Sequence, residues 1–405
     1  MWKLRCSSPG DRASVPGQDI SSLNGHAGRH IWEHNSAHLS PEDIAVIDRL
    51  RENFELNRHT QKHSSDALMR LQYDSLRDAR GRAIKTAPPP RCAYDPTSGT
   101  ADSPVSRDIV KQALRAGIDY YQGLQDDDGH WPGDYGGPMF LMPGLIIALY
   151  VMNKLDHVLS EPHKVEIRRY LRNHQNEDGG FGLHIEGHST MFGTVLSYVA
   201  MRLLGMSPNT SNLVDRENSL VDALSWIRAR GGAVNVPSWG KFYLCLLGVY
   251  EWDGLNPVPP ECWLLPYTFN PLHPGRFWCH CRMVYLPMSY LYGMRATAQS
   301  TEITELLKKE LYIDDYDCID WNTTRNSCAE EDLYYPHPWI QDLIWSGLSK
   351  VELSLLKTSA GMWLRGIACK LAMEHIHYED DNTRYIDIGP VNKVLNMLCC
   401  WFEDP

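Results

Sequence analysis

The sequence predicts an all-α protein in which helix pairs close into a ring, an α/α toroid. The first observation behind this is a repeat. Gln125-Asp126-Asp127-Asp128-Gly129-His130-Trp131 recurs fifty residues later as Gln175-Asn176-Glu177-Asp178-Gly179-Gly180-Phe181. A unit returning at a fixed period of this length marks a repeat architecture. The second is periodicity: almost no segment alternates with period two, whereas many carry the 3.6-residue apolar period of helices. The third is the order helix, turn, helix at the same spacing, which stacks units around a shared core. Within the repeat, Asp-Gly supplies a tight turn, with glycine free to take positive φ. The closing ring covers apolar surface, and the Gln amide can bond orphan backbone groups at neighbouring helix ends.

Along the chain, residues 1–40 are polar with little periodicity. A helix is expected over 41–74, with Ser40 as N-cap and Glu42 and Asp43 in its first turn. Residues 79–106, which include Pro88-Pro89-Pro90, read as a linker with nothing to bury. Ser106 caps a helix whose Val110, Leu114, Ile118 and Tyr121 share one face, and that helix feeds the first repeat turn. The next apolar helix follows Pro143 and ends near Asn153; another, over 162–173, feeds the second turn. The stretch 189–204 is apolar nearly all round, as an inner-ring helix must be. A helix from 217 to 230 leads to Gly231-Gly232 and the turn Pro237-Ser238-Trp239-Gly240, a degenerate third repeat. Prolines then punctuate an extended excursion over 257–274, and helices resume over 283–292, 302–311, 338–346, 351–377 and 390–402.

Composition narrows the function. Thirteen Trp and twenty Tyr are more than an ordinary core needs, and they fit an aromatic-lined cavity as well as packing between helices. A net charge of −11 argues against nucleic acid as a partner. Eleven cysteines without a regular framework, and no signal peptide at the start, point to a reducing compartment. No C-x-x-C pair occurs, so no metal is expected. The longest uncharged stretch, 135–153, is interrupted by Pro138 and Pro143 and reads as a buried helix rather than a membrane span.

Four longer strings carry a resemblance to a known family. DGHWPGDYGGPMFL at 128–141 and QNEDGGFGLHIEGHST at 175–190 resemble the first two repeat regions of the squalene and oxidosqualene cyclases, the terpene cyclase/mutase family. Phe181 stands where Trp is usual. WCHCRMVYLPMSYLY at 278–292 and HIHYED at 375–380 complete the set. His280 resembles the sterol-forming branch. Met1-Trp2-Lys3-Leu4 and the run IGPVNKVLNMLCCW at 388–401 resemble the plant-type cycloartenol synthases.

The resemblance implies a squalene-cyclase-like toroid, with one barrel largely complete and a second only begun. The implied division is an N-terminal arm and helix (1–78), the linker (79–106), an inserted α-barrel with the repeat turns (107–335), and the start of the second barrel (336–405). It implies a linear substrate, 2,3-oxidosqualene, cyclised to cycloartenol or a related tetracycle, with no cofactor. It also implies monotopic attachment to a membrane surface, at the cytosolic face of the endoplasmic reticulum or a lipid droplet. Tyr135, Trp239, Trp278 and His280 would line the substrate cavity, and Cys281 and Tyr285 the entrance channel. Gln125, Asp128, Gly129 and Trp131, with Gln175, Asp178, Gly179 and Phe181, form the structural repeat.

Such chemistry needs an acid to open the epoxide, a dry cavity and electron-rich ring faces for the cations. The family's acid opens an Asp-Cys-Thr-Ala-Glu-like string. Asp317-Cys318-Ile319-Asp320 lacks its second half, and Cys328-Ala329-Glu330 belongs to another context, so the acid is carried onto neither and is expected beyond Pro405. As a 405-residue polypeptide the chain is expected to be inactive alone.

Other classes compete. A non-catalytic toroid could bind lipid or a partner cyclase. His184-Ile185-Glu186-Gly187-His188 places two histidines at zincin spacing, but with the Glu in the wrong position and a glycine weakening the helix. A toroidal glycoside hydrolase needs a carboxyl pair, whereas the acidic residues here sit mainly in turns. Without the family strings, core packing alone would account for Trp239, Trp278 and His280.

Overall fold

The computed structural model describes residues 2–6, 30–34, 40–60, 106–124, 136–208, 219–268, 273–335 and 338–404. The chain divides into two compact units, Met1–Tyr135 and Gly136–Pro405. The first unit holds helices α1 (Pro41–Asn57) and α2 (Arg107–Leu124), together with strands β1 (Trp2–Cys6) and β2 (His30–His34). The strands pair antiparallel, with Leu4 opposite Trp32 and Cys6 opposite His30. This ribbon corrects the reading of residues 1–40 as aperiodic. Five-residue strands are too short for a period to stand out, and their pairing partner lies far along the chain. Ser106 caps α2 as expected, its hydroxyl accepting the Ile109 N–H at 3.3 Å. Val110, Leu114, Ile118 and Tyr121 are all exposed. Much of the expected 41–74 helix and of the linker lies outside the described residues.

The second unit is built from α3 (Pro138–Val151), α4 (Leu155–Val158), α5 (Glu161–Asn173), α6 (Met191–Leu203), α7 (Ser219–Ala229) and α8 (Ser238–Leu247). It continues with α9 (Cys279–Gly293), α10 (Glu302–Leu311), α11 (Trp339–Leu356), α12 (Ser359–Thr383) and α13 (Pro390–Glu403). Short 3₁₀ turns fill the proline-rich excursion between α8 and α9. Most of the helices are those the apolar period marked, with shifted ends; α4 and α8 lie outside that reading, and Ser238-Trp239-Gly240, expected as part of a turn, opens α8. Thr190, rather than Ser189, starts α6, its hydroxyl accepting the Gly193 N–H at 3.0 Å. The break expected after Ser346 falls later. Gly347 has open space around it and does not stop α11, whereas Thr358 accepts the Gly361 N–H at 3.0 Å and starts α12.

α6 is the centre of this unit: every residue from Met191 to Leu203 is buried. It packs on α3 and α8, and also on α5, α7 and α10, so helices flank it all round as an inner-ring position requires. Burying Arg202 in such a helix demands a partner. Glu310 of α10 supplies it, taking bonds from the guanidinium at 2.8 and 2.9 Å and from the Tyr198 hydroxyl at 2.9 Å. The close passage of α3 over α8 rests on Gly144, where a Cβ would sit 2.8 Å from the Tyr243 hydroxyl.

A proline inside α9 is resolved across helices. Pro287 has no N–H, which orphans the carbonyl of Met283 four residues earlier. The Asn392 amide of α13 donates to that carbonyl at 2.8 Å. α13 therefore packs on both α9 and α3. Residues 338–404 belong to the second unit. Residues 107–124 fall in the first unit.

The apolar face of α13 is covered. Val394, Leu395, Leu398 and Cys399 are buried, because α3 and α9 cover them. α11 carries exposed apolar side chains, Trp339 at 74% and Leu343 at 63% among them.

Replacing Glu310 with Ala leaves Arg202 buried without a counter-charge, and the unfolding free energy from urea titration is expected to fall by about 3–5 kcal/mol. Glu310→Gln, which keeps hydrogen-bond acceptors, is expected to fall by less.

Candidate functional site

The second repeat turn shows what the motif does. It joins α5 to α6 and sits under α7. The Gln175 amide donates to the Gly179 carbonyl at 2.6 Å and to the Ser219 carbonyl, at the start of α7, at 2.8 Å. Asp178 accepts from the Gly180 N–H at 3.1 Å, the Ser189 hydroxyl at 2.6 Å and the Trp226 indole at 2.9 Å. Gly179 has φ +86°, and a Cβ there would also press on the Asp222 backbone, so glycine is required twice over. Phe181 is fully buried; its N–H donates to the Thr194 hydroxyl at 2.9 Å, inside α6. Burial pushes the Asp178 carboxyl up, but the bonds from Ser189, Trp226 and Gly180 and the Arg230 charge win and hold it below the usual range. The first copy, Gln125, Asp128, Gly129 and Trp131, lies outside the described residues, as does Tyr135.

Beyond this turn, the N-terminal turns of three helices carry aromatic rings that meet in a row. Phe192 of α6 stacks on Phe140 of α3 at 5.5 Å between centroids, and Phe140 on Trp239 of α8 at 5.8 Å. Trp239 then meets Tyr285 of α9 edge-on at 6.2 Å, its indole N–H donating to the tyrosine hydroxyl at 3.3 Å. Trp239 and Tyr285 line a cavity of about 280 Å³, completed by Met288, Cys328, Leu333 and Trp345 among others. That volume is at the small end for ligand pockets, and the mix of rings with a few polar groups is typical of them.

Two polar groups, the half-buried Asp332 and the buried Lys241, fix the walls. Asp332 closes the N-terminus of α6, one carboxylate oxygen accepting the Met191 N–H at 2.6 Å and the other the Phe192 N–H at 2.9 Å. Burial raises its pKa in spite of those bonds. Lys241 of α8 is buried and donates to the carbonyls of Arg325 and Ser327, at 3.1 and 2.8 Å, as well as to that of Thr324. It thereby holds the 324–327 segment against the cavity. Burial lowers its pKa to about 8, with Cys328 and Cys245 opposing.

Of the residues the resemblance selected, the structure brings Trp239 and Tyr285 together at this cavity. Cys281 lies one helical turn before Tyr285, half-buried. Trp278 and His280 are placed elsewhere: both are exposed, Trp278 by 65%, and they contact one another edge-on at 5.0 Å. Trp278 precedes the first residue of α9, and His280 projects about 140° around the helix from Tyr285, so neither reaches this cavity. Phe140, Phe192, Lys241 and Asp332 were missed as a group. Phe140 is the penultimate residue of the first repeat string and Phe192 lies two residues beyond the second, and a helix N-terminus so close to an aromatic is the signal that could have found them.

The candidate acids resolve the same way. Asp317 and Asp320 are exposed, with Asp320 accepting the Asn322 N–H, and Glu330 is exposed too. Among the described residues no carboxylate lines the cavity. The zincin spacing fails on geometry, because residues 183–189 form turns rather than a helix and His184 accepts the Glu186 N–H.

A ring of helix pairs pinned by such turns, with an aromatic cavity at its helix N-termini, defines a terpene-cyclase toroid domain. Residues 114–381 match the family model of the squalene-hopene cyclase N-terminal domain. An alpha-onocerin synthase of Lycopodium clavatum is 46% identical over 405 residues, which is 100% of this chain and 50% of that protein. A cycloartenol synthase of Dictyostelium discoideum is 48% identical over 72% of the chain and 39% of its own length, and the lanosterol synthase of Homo sapiens 45% over 75% and 39%. The chain belongs to the oxidosqualene cyclase family, and it spans about half the length, or less, of these curated relatives.

Asp178 gives a pH signature. Its pKa is depressed on folding, so the stability it contributes is full above the unfolded value near 3.9 and is lost as pH falls below it. Asp178→Asn is therefore expected to cost about 1 kcal/mol at neutral pH, the net worth of an exposed charged bond. It should also flatten the loss of stability between about pH 4 and pH 2 in acid titrations followed by circular dichroism.

Proposed function

We propose that this chain forms the repeat-bearing part of a cyclase that folds 2,3-oxidosqualene against an aromatic wall and converts it to cycloartenol or a related tetracycle. The observation that supports this most is the row Phe192, Phe140, Trp239 and Tyr285, built on helices of a chain belonging to this family. Ring faces attract a cation by about 0.5–2 kcal/mol each, more when water is excluded, and so favour a positive centre moving along the row. The indole N–H engages one lone pair of the Tyr285 oxygen, which limits capture of a cation by that oxygen. Trp278 and His280 enter this reading through the family resemblance, His280 as a residue near the last cationic centres.

Protonation of the epoxide needs a neutral carboxyl held in the cavity. Since no carboxylate lines it among the described residues, we read the 405-residue polypeptide as unable to start the cascade alone. The same observation favours a second reading, a non-catalytic toroid that holds a linear triterpene or a partner cyclase. Expression of the chain in cells supplied with oxidosqualene is expected to give no cyclised sterol, and any such product would overturn this reading. Lipid extracted from the purified chain is expected to include the linear epoxide, and Trp239→Ala to reduce its recovery severalfold; recovery unaffected by that substitution would remove the cavity from the account.

The membrane is the proposed route of substrate delivery, at the cytosolic face of the endoplasmic reticulum or a lipid droplet. No described helix is long and apolar enough to cross a bilayer. The exposed Trp339, Ile340, Leu343 and Ile344 of α11 support attachment to one face. In vesicle flotation the chain is expected to rise with neutral phospholipid vesicles, and Leu343→Glu with Ile344→Glu to leave it in the dense fraction.

A further inference from the structure

The last turns of α12 and the end of α13 carry a cluster that neither the cavity nor the repeat uses. α12 presents His377 and, three residues on, Asp380; α13 presents Cys400 and, three residues on, Glu403. Residues three apart share a helix face, so each helix offers two donors to the other. The donor atoms of His377, Asp380 and Cys400 all lie within 4.8 Å of one another. The Cys400 sulfur stands 3.7 Å from an Asp380 oxygen, and the His377 Nε2 stands 2.7 Å from a Glu403 oxygen. This is the sole such group of His, Cys and carboxylate side chains among the described residues.

From these positions we propose that His377, Asp380, Cys400 and Glu403 bind a structural zinc ion that fastens α12 to α13. Thiolate, imidazole and carboxylate together suit zinc better than magnesium or calcium, which take oxygen ligands. Zinc bond lengths of about 2.0–2.3 Å place tetrahedral ligands about 3.3–3.7 Å apart. The Cys400–Asp380 separation already lies at the upper end of that range, and the His377–Glu403 contact would open by less than about 1 Å to enter it. Two-residue contributions from each of two facing helices are also how helical bundles build metal centres. Without metal, the same side chains form an ordinary hydrogen-bonded cluster. On binding, a zinc–sulfur bond replaces the Cys400 S–H, and the proton passes to the buffer. None of the four residues lines the aromatic cavity, so the ion is independent of the proposed cyclase reading.

The purified chain, stripped with a chelator and then incubated with zinc chloride, is expected to retain one ion per chain after desalting and to melt at a higher temperature. Cobalt chloride in place of zinc should give a thiolate-to-cobalt charge-transfer band and the visible spectrum of a tetrahedral ion. Loss of one ligand should weaken retention by more than about a hundredfold, since even outer partners of ligands contribute about 10–100-fold. His377→Ala and Cys400→Ser are each expected to show it, while the pair His184→Ala and His188→Ala is not. Failure of the wild-type chain to retain zinc, or a cobalt spectrum without the sulfur band, overturns the proposal. So does retention unchanged in folded His377→Ala and Cys400→Ser. The cobalt spectrum is read on the wild-type chain, so a variant that does not fold leaves that test intact.

Discussion

A helix with no exposed residue strands its polar groups unless neighbours meet them, and α6 is such a helix, in which the Ser197 hydroxyl alone is left without a partner. The second unit is arranged around that demand. At its N-terminus the free N–H groups are met by Asp332, which arrives from a segment more than a hundred residues away. In its interior Thr194 meets the repeat turn, and near its end Tyr198 and Arg202 meet Glu310. These bonds add little net energy one by one, since each replaces a bond to water. Their absence would leave charges and amides stranded in apolar surroundings, and that asymmetry fixes where α10 and the 330–332 turn must lie.

The same demand sets up the cavity. The Phe192 N–H that Asp332 satisfies belongs to the residue whose ring begins the aromatic row. Capping the helix and placing the ring are therefore one structural event. Lys241 does likewise on the far side: its ammonium gathers three carbonyls and thereby sets the segment that faces Trp239. Buried charge here serves geometry, holding rings in register around a space rather than adding stability in itself. The exposed pair Trp278 and His280 has no comparable support from buried groups, and it sits outside the row.

Legibility followed the range of each interaction. The repeat turn was readable as a turn, because the Asp-Gly step and the closing ring are local, but its bonds to Ser219, Trp226 and Thr194 reach outside the motif and were not. The starts of α6 and α12 were displaced from their expected positions only where a threonine cap competed with a glycine or a serine nearby. The ribbon of β1 with β2 escaped notice because its signal is a pairing, not a pattern. The seat of α13 is likewise a pairing: Pro287 leaves a carbonyl on α9 that the Asn392 amide meets from far along the chain.

The sequence by itself determined the class of fold, the positions of most described helices of the second unit, the inner placement of α6 and the family, because helix period and turn chemistry are local and repeat along the chain. α8, which opens in residues read as a turn, escaped it. Only the tertiary structure decided which aromatics meet. Phe140, Phe192, Trp239 and Tyr285 come from four helices, and their contact depends on helix packing and on Asp332 and Lys241, whose partners lie far off in sequence. It also decided that Trp278 and His280 face outward and that His377, Asp380, Cys400 and Glu403 converge. Contacts of that range follow from how helices cross, and no single stretch of chain encodes them.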